Sequence, residues 1–220
     1  MAIPVRIDFV SDIACPWCAV GLRALEEAMV RVGPELQVEI HFQPFELNPQ
    51  MPAEGEGAVE HLMRKYRISA AQAATNAEAI RMRGEELGFV FDMDSRRRVY
   101  NTFDSHRLLH WAGEQGQVVQ RQLKHALLRA YFTLGLDVSD RETLVEVVRE
   151  AGLDEVRARQ ILESEELADA VRRQERYYAE QGISAVPSVI FNNRHLIQGG
   201  QPVDAFEAVL RRLAALPANA

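Results

Sequence analysis

The spacing of apolar residues changes period twice along this chain, and that change restricts the fold. Val5, Ile7 and Phe9 alternate with Arg6 and Asp8, the two-residue period of a strand. Leu22, Leu25, Met29 and Val32 then recur at helical spacing, and Gly33-Pro34 stops that helix. Leu36, Val38, Ile40 and Phe42 return to alternation. Beyond a Pro- and Gly-rich loop from Pro49 to Gly57, the period is helical for more than 100 residues. Val59, Leu62, Met63 and Tyr66 make one stripe, and Val119, Leu123, Leu127, Ala130 and Leu134 another. Phe103 to Ala112 reads as a further helix. Ser69 predicts a helix start, and Ser139 to Glu142 matches a capping box ahead of Leu144, Val147 and Val148. Gly182 ends the block. Strands resume over Val186 to Phe191 and His195 to Gln198, joined across Asn192-Asn193. A closing helix follows over Val203 to Leu216.

Removing the central helices leaves β-α-β followed by β-β-α. The chain therefore reads as an α/β fold. Residues 1–48 and 183–220 make one discontinuous sheet domain, and residues 49–182 form an all-helical insertion.

Both cysteines of the chain fall in Cys15-Pro16-Trp17-Cys18, between the first strand and its helix. Pro16 suits the first helical position, where its missing N–H costs nothing. Cys15 then sits at a helix N-terminus, where first-turn N–H groups and the macrodipole favour negative charge. The thiolate is the reactive form of cysteine. Cys15, nearer the loop, is expected to be the more exposed, and Cys18 the more shielded. The expected chemistry is attack by Cys15 on a disulfide, then resolution of the mixed disulfide by Cys18. Three other readings of the pair stand beside it. Zinc wants four ligands, and no second pair or short-spaced histidine accompanies this one. A structural disulfide would close a very short loop with little entropic benefit. An inert buried pair is the third.

A net charge of −7 argues against a nucleic-acid footprint. Arg96-Arg97-Arg98, the one basic cluster, reads as solvated surface. No run of about 20 apolar residues is present to span a membrane. Met1 to Val10 shows no basic segment followed by an apolar one of the secretory kind, so a cytoplasmic location is expected. In a reducing compartment a CxxC pair points to catalysis or metal binding.

Val186-Pro187 stands just before a strand, where proline has no N–H to give the ladder. An X-Pro bond is cis in only ~5–6% of folded cases. Beside an N-terminal CxxC and a β-β-α ending, a functional cis-proline is the expectation.

Together these residues resemble the DsbA family of thiol–disulfide oxidoreductases, a thioredoxin fold with a helical insertion. Ser11 to Cys18 with Gly21, Pro44 to Pro49, Asn101 to Arg107, and Val186-Pro187 with Gly199-Gly200-Gln201 look closest to its FrnE-like branch. The resemblance implies Cys15 as nucleophile, Cys18 as resolving thiol and Pro16 and Trp17 as the tuning dipeptide. It implies Val186 as the residue whose backbone pairs with substrate, and Pro187 as the cis-proline facing the cysteines. No cofactor is expected beyond the redox-active disulfide, with glutathione a candidate co-substrate, and no metal. The expected partners are protein or small-molecule thiols and disulfides, without nucleic acid or membrane.

The same superfamily includes 2-hydroxychromene-2-carboxylate isomerases and kappa-class glutathione transferases, which often carry Ser where Cys15 stands. For a small-molecule substrate of that kind, Asn101 and His106 could line a cleft. The plainer reading has Asn101 capping a helix and His106 as a packed or surface histidine. A chaperone-like binding protein, with Trp17, Phe45 and Met63 on an apolar surface, is a third class.

Overall fold

A computed structural model describes residues 2–215 of the chain. Strand β1 (Ile3–Ser11) leads into helix α1 (Pro16–Val32) and strand β2 (Leu36–Pro44). The chain then leaves the sheet. A two-residue strand β3 (Glu56–Gly57) precedes helices α2 (Ala58–Tyr66) and α3 (Ala70–Glu86). A second short strand, β4 (Arg98–Val99), pairs antiparallel with β3. Five helices follow: α4 (Phe103–Gln115), α5 (Gln117–Phe132), α6 (Arg141–Glu150), α7 (Glu155–Leu162) and α8 (Ala168–Glu180). The chain returns through β5 (Ser188–Phe191), β6 (His195–Gln198) and α9 (Val203–Ala214).

The four-stranded sheet has the order β2-β1-β5-β6. β1 runs parallel to β2, with Phe9 beside Phe42 and Ser11 beside Pro44. β5 lies antiparallel to β1 on its other side, and β6 antiparallel to β5. The two halves of the sheet thus meet at β1, whose carboxyl end carries the loop to Cys15. Helices α1 and α9 pack together, while α4, α5 and α8 pack against β2.

One apolar core runs through both parts. It joins Ile7, Phe9, Leu22 and Phe42 around the sheet to Leu123, Leu127, Leu144 and Ile161 of the inserted helices. Phe9 and Phe42 meet edge to face at 5.8 Å. Burying a side chain of this kind contributes about 1.5–3 kcal/mol. The helix ends follow local chemistry. Ser69 and Gln72 close a reciprocal capping box at α3. Gly33, with φ +73°, ends α1. Asn192 and Asn193 both take positive φ, as a tight hairpin turn requires.

Four expectations change. Asp140, not Ser139, caps α6, because its carboxylate accepts from Thr143 N–H at 2.8 Å while Ser139 turns back to Asp137. The third sheet strand begins at Ser188, after Pro187, which has no N–H for the ladder. The α2 stripe faces outward: Val59, Met63 and Tyr66 are exposed, and the side chains that α2 buries are Ala58 and His61. Arg96 is not plain solvated surface, since its guanidinium lies over the rings of Tyr131 and Phe132.

Candidate active site

The site lies where α1 begins. Cys15 is the N-cap residue of α1, extended at φ −96° and ψ 111°, and Pro16 opens the helix. Cys18 N–H donates to the Cys15 carbonyl at 3.0 Å, which closes the first turn and brings both thiols to one end of the helix. Both are free thiols. They differ in exposure, as the order of the motif predicts: Cys15 keeps 4% of its surface and Cys18 none. Burial pushes the Cys18 thiol well up, and the neighbouring Cys15 adds to it.

The facing wall comes from the other end of the chain. The Val186–Pro187 peptide is cis. The Cys15 thiol points at the Val186 carbonyl oxygen, 3.6 Å away. Two glycines allow α1 to come this near. A Cβ on Gly21 would stand 3.1 Å from Pro187 Cγ, and one on Gly200 would stand 2.9 Å from the Trp17 ring. Trp17 therefore lies across Gly200, and 38% of it stays open to solvent. Pro16 is half-buried beside it.

Beneath the cysteines lies a polar layer. Asp12 is fully buried; its carboxylate accepts from Ala14 N–H at 3.2 Å and from Leu47 N–H at 2.6 Å. Burial alone would raise its pKa, but the adjacent His106 and the Leu47 N–H outweigh that and hold it below the ordinary value. His106 Nε2 stands 3.4 Å from Asp12 Oδ1, off the line of a hydrogen bond. Lys65 Nζ donates to Leu47 O and Asn48 Oδ1, and its charge acts on Asp12 and Cys15.

The eight residues singled out from sequence fall into two groups. Cys15, Pro16, Trp17, Cys18, Val186 and Pro187 converge at the start of α1. Asn101 and His106 do not join them at the surface. Asn101 Oδ1 accepts from Phe103 N–H at 2.8 Å, holding the start of α4, and its amide donates to Glu46. Glu46 in turn pairs with Arg172. His106 is only 2% exposed and sits behind Asp12, so the structure moves it from a cleft wall to the support of the loop. Asp12, Lys65 and Tyr66 were not singled out. Asp12 stands three residues ahead of Cys15, but its inward course depends on Leu47 from another element.

The model of the DSBA-like thioredoxin domain matches residues 6–211. The chain belongs to that family. Among solved structures, a probable DsbA oxidoreductase from Streptomyces coelicolor superposes with a TM-score of 0.88 at 32% identity, covering 95% of this chain and 89% of that one. The uncharacterized protein YwbO of Bacillus subtilis is 27% identical over 94% of this chain and 96% of its own length. Two more distant structures share the fold. The cytosolic disulfide reductase DsbM from Pseudomonas aeruginosa, with GSH, has a TM-score of 0.63 at 19% identity (96% and 100% covered). A 2-hydroxychromene-2-carboxylate isomerase has a TM-score of 0.70 at 14% identity (94% and 95% covered). Among the described residues, no helix of this DSBA-like protein is long and apolar enough to cross a membrane.

Proposed function

We propose that this chain is a thiol–disulfide oxidoreductase working through a reversible Cys15–Cys18 disulfide. The observation that carries the reading is the asymmetry of the pair. Both cysteines are buried, but Cys15 keeps 4% of its surface and its thiol faces the Val186 carbonyl, while Cys18 keeps none and lies one helical turn below. A substrate disulfide reaches Cys15 first. The Cys15 thiolate attacks one sulfur, the S–S bond breaks, and the departing thiolate takes a proton from water. Cys18 then attacks Cys15 Sγ, the mixed disulfide opens, and the second substrate thiolate leaves. Each step exchanges one S–S bond for another. Run backwards, the same steps oxidise a dithiol.

In this reading Val186 lends its backbone to an extended substrate segment, Pro187 forms the wall behind it, and Pro16 and Trp17 shape the rim. Tyr66 on the exposed face of α2 lies within electrostatic reach of Cys15, and Met63 is exposed on the same helix. An apolar margin of this kind suits a peptide better than a small polar thiol. Glutathione fits the reading as the thiol that resets the disulfide, in a reducing cytosol. The isomerase alternative has the shared fold behind it and no feature of this site.

The test is reduction of insulin disulfides by the wild type, Cys15→Ser, Cys18→Ser and the double variant, alongside turnover of a hydroxychromene carboxylate. The expected result is insulin reduction that both substitutions abolish. Isomerisation that survives the double substitution would overturn the reading. Suppression of aggregation without any thiol turnover would leave a binding protein instead.

A further inference from the structure

The chain carries 25 basic residues, and only Lys65 and Lys124 are lysines. Neither forms an ion pair among the described residues. Lys124 on α5 is wholly buried, and its Nζ has no hydrogen-bond partner among the described residues. Lys65 on α2 differs, because it is half-buried and lines an open pocket. Its Nζ donates to Leu47 O and to Asn48 Oδ1, both at 2.8 Å. Both acceptors are neutral, so the ammonium is held in place while its charge is left uncompensated. An ammonium has three N–H donors, and the third has no acceptor among the described residues.

The pocket holds about 440 Å³, within the size range of ligand clefts. The segment from Leu47 to Pro52 makes one side of it and α2 the other, and Leu47, Pro49, Met51 and Pro52 give it apolar walls. Its other charges are already matched. Arg64 donates to both oxygens of Glu56, at 2.9 and 2.6 Å, and His61 Nδ1 lies 2.7 Å from the same carboxylate. Hydrogen bonds also join this pocket to the cysteine loop. Leu47 N–H donates to Asp12 Oδ2 at 2.6 Å, and Asp12 Oδ1 accepts from Ala14 N–H at 3.2 Å. Asp12 O accepts from Cys15 N–H at 3.4 Å. The Leu47 backbone is therefore bonded to Lys65 through its carbonyl and to the cysteine loop through its N–H.

We propose that this pocket is a subsite for the protein chain that flanks a substrate disulfide, and that Lys65 selects an acidic side chain there. This inference rests on Cys15 being the attacking thiol. The bonded path from Lys65 to Ala14 crosses only Leu47 and Asp12, so a chain held at Cys15 reaches the pocket within a few residues. The substrate carboxylate takes the third N–H of Lys65 in a charge-assisted hydrogen bond. Arg64 does not compete for it, because Glu56 already occupies that guanidinium. The apolar walls take the side chains next to the acidic one. Glutathione has no apolar side chain to place there, so the pocket is assigned to a protein substrate.

Two disulfide-bonded peptides that differ only in Glu or Gln beside the cysteines test the assignment. The expected result is a kcat/KM about tenfold higher for the Glu peptide, expressed in KM. That preference should shrink as salt rises. Lys65→Met should bring the Glu peptide down to the rate of the Gln peptide, and Lys65→Arg should keep the preference. Dithiodipyridine, a disulfide without a carboxylate, should react with Lys65→Met at the wild-type rate. A wild type indifferent to the two peptides, or a preference that survives Lys65→Met, overturns the proposal. Faster turnover of glutathione disulfide than of the Glu peptide overturns it too. Slower reaction of Lys65→Met with dithiodipyridine, equal to its loss on the Glu peptide, makes Lys65 a brace for Leu47 and overturns its role in selection. Reduction of either peptide by Cys15→Ser overturns the attacking role of Cys15 and this inference with it. Should Lys65→Met fail to fold, nitrogen NMR of Cys15→Ser/Cys18→Ser decides, since the chain has one other lysine. The Lys65 amine signal should shift on adding the Glu peptide and hold on adding the Gln peptide. Equal shifts overturn the proposal.

Discussion

The thiol of Cys15 lies 3.6 Å from the carbonyl oxygen of Val186, a residue 171 positions away in the chain. β1 makes this contact, because it carries the Cys15 loop at its end and pairs with β5 along its flank. The same geometry places Trp17 over Gly200 and Gly21 against Pro187. Each approach is a close fit that a side chain would disturb.

Gly200→Ala puts a methyl 2.9 Å from the Trp17 ring and 3.1 Å from its backbone oxygen. The ring can turn aside, but the backbone oxygen belongs to the first turn of α1. Overpacking of this kind costs about 1–3 kcal/mol. Thermal melts should show that loss, tryptophan fluorescence should change, and disulfide exchange should slow. A variant of unchanged stability and rate would mean that Trp17 and Gly200 are not closely coupled.

The exposed stripe on α2 predicts a split between substrates. Replacing Met63 and Tyr66 together by Ser removes exposed apolar surface from α2 without altering either thiol. Turnover of a disulfide-bonded peptide should fall by about tenfold, in line with the loss of one or two apolar contacts. Reaction with a small aromatic disulfide should hold. Equal losses on both would move the effect from docking to folding.

Lys124 makes a prediction about stability that runs opposite to most core substitutions. Its value of about 8 lies below the ordinary 10.5 of lysine. Where both folded and unfolded states hold the proton, the buried charge costs stability; the cost fades as pH rises from about 8 toward 10.5. At ~1.4 kcal/mol per pH unit the interval corresponds to roughly 3 kcal/mol. Urea unfolding should therefore find Lys124→Met more stable than its parent at pH 7, with the gap narrowing in alkali. The comparison belongs in a Cys15→Ser/Cys18→Ser background, where no thiol titrates. A less stable variant, or a gap that ignores pH, would contradict the burial of an unpaired charge.

What could be read in advance divides along physical lines. Local signals were legible: the two-residue period of β1, Pro16 and Ser69 at helix starts, and the hairpin turn at Asn192-Asn193. The pairing of Cys15 with Val186-Pro187 was legible as a resemblance, though 171 positions separate Cys15 from Val186. Direction was not. The stripe on α2 shows that a helix forms, but not that its apolar face is left open, since that depends on what the other helices cover. Lys124 was legible only in outline, lying in the arc of Gln120, Leu127, Leu128 and Tyr131 that α5 buries. Nothing local says that its ammonium ends fully buried beside the Phe42 ring. For His106 the sequence left a cleft wall and a packed or surface histidine both open, and the structure buries it behind Asp12.

Trapping the mixed disulfide tests the central claim most directly. Cys18→Ser, incubated with a disulfide substrate and analysed by intact mass without reductant, should keep a covalent adduct that maps to Cys15. Cys15→Ser under the same conditions should carry none, because the remaining thiol is buried. An adduct on Cys18 in Cys15→Ser at a comparable rate, or no adduct on either variant, would contradict the assignment of Cys15 as the attacking thiol.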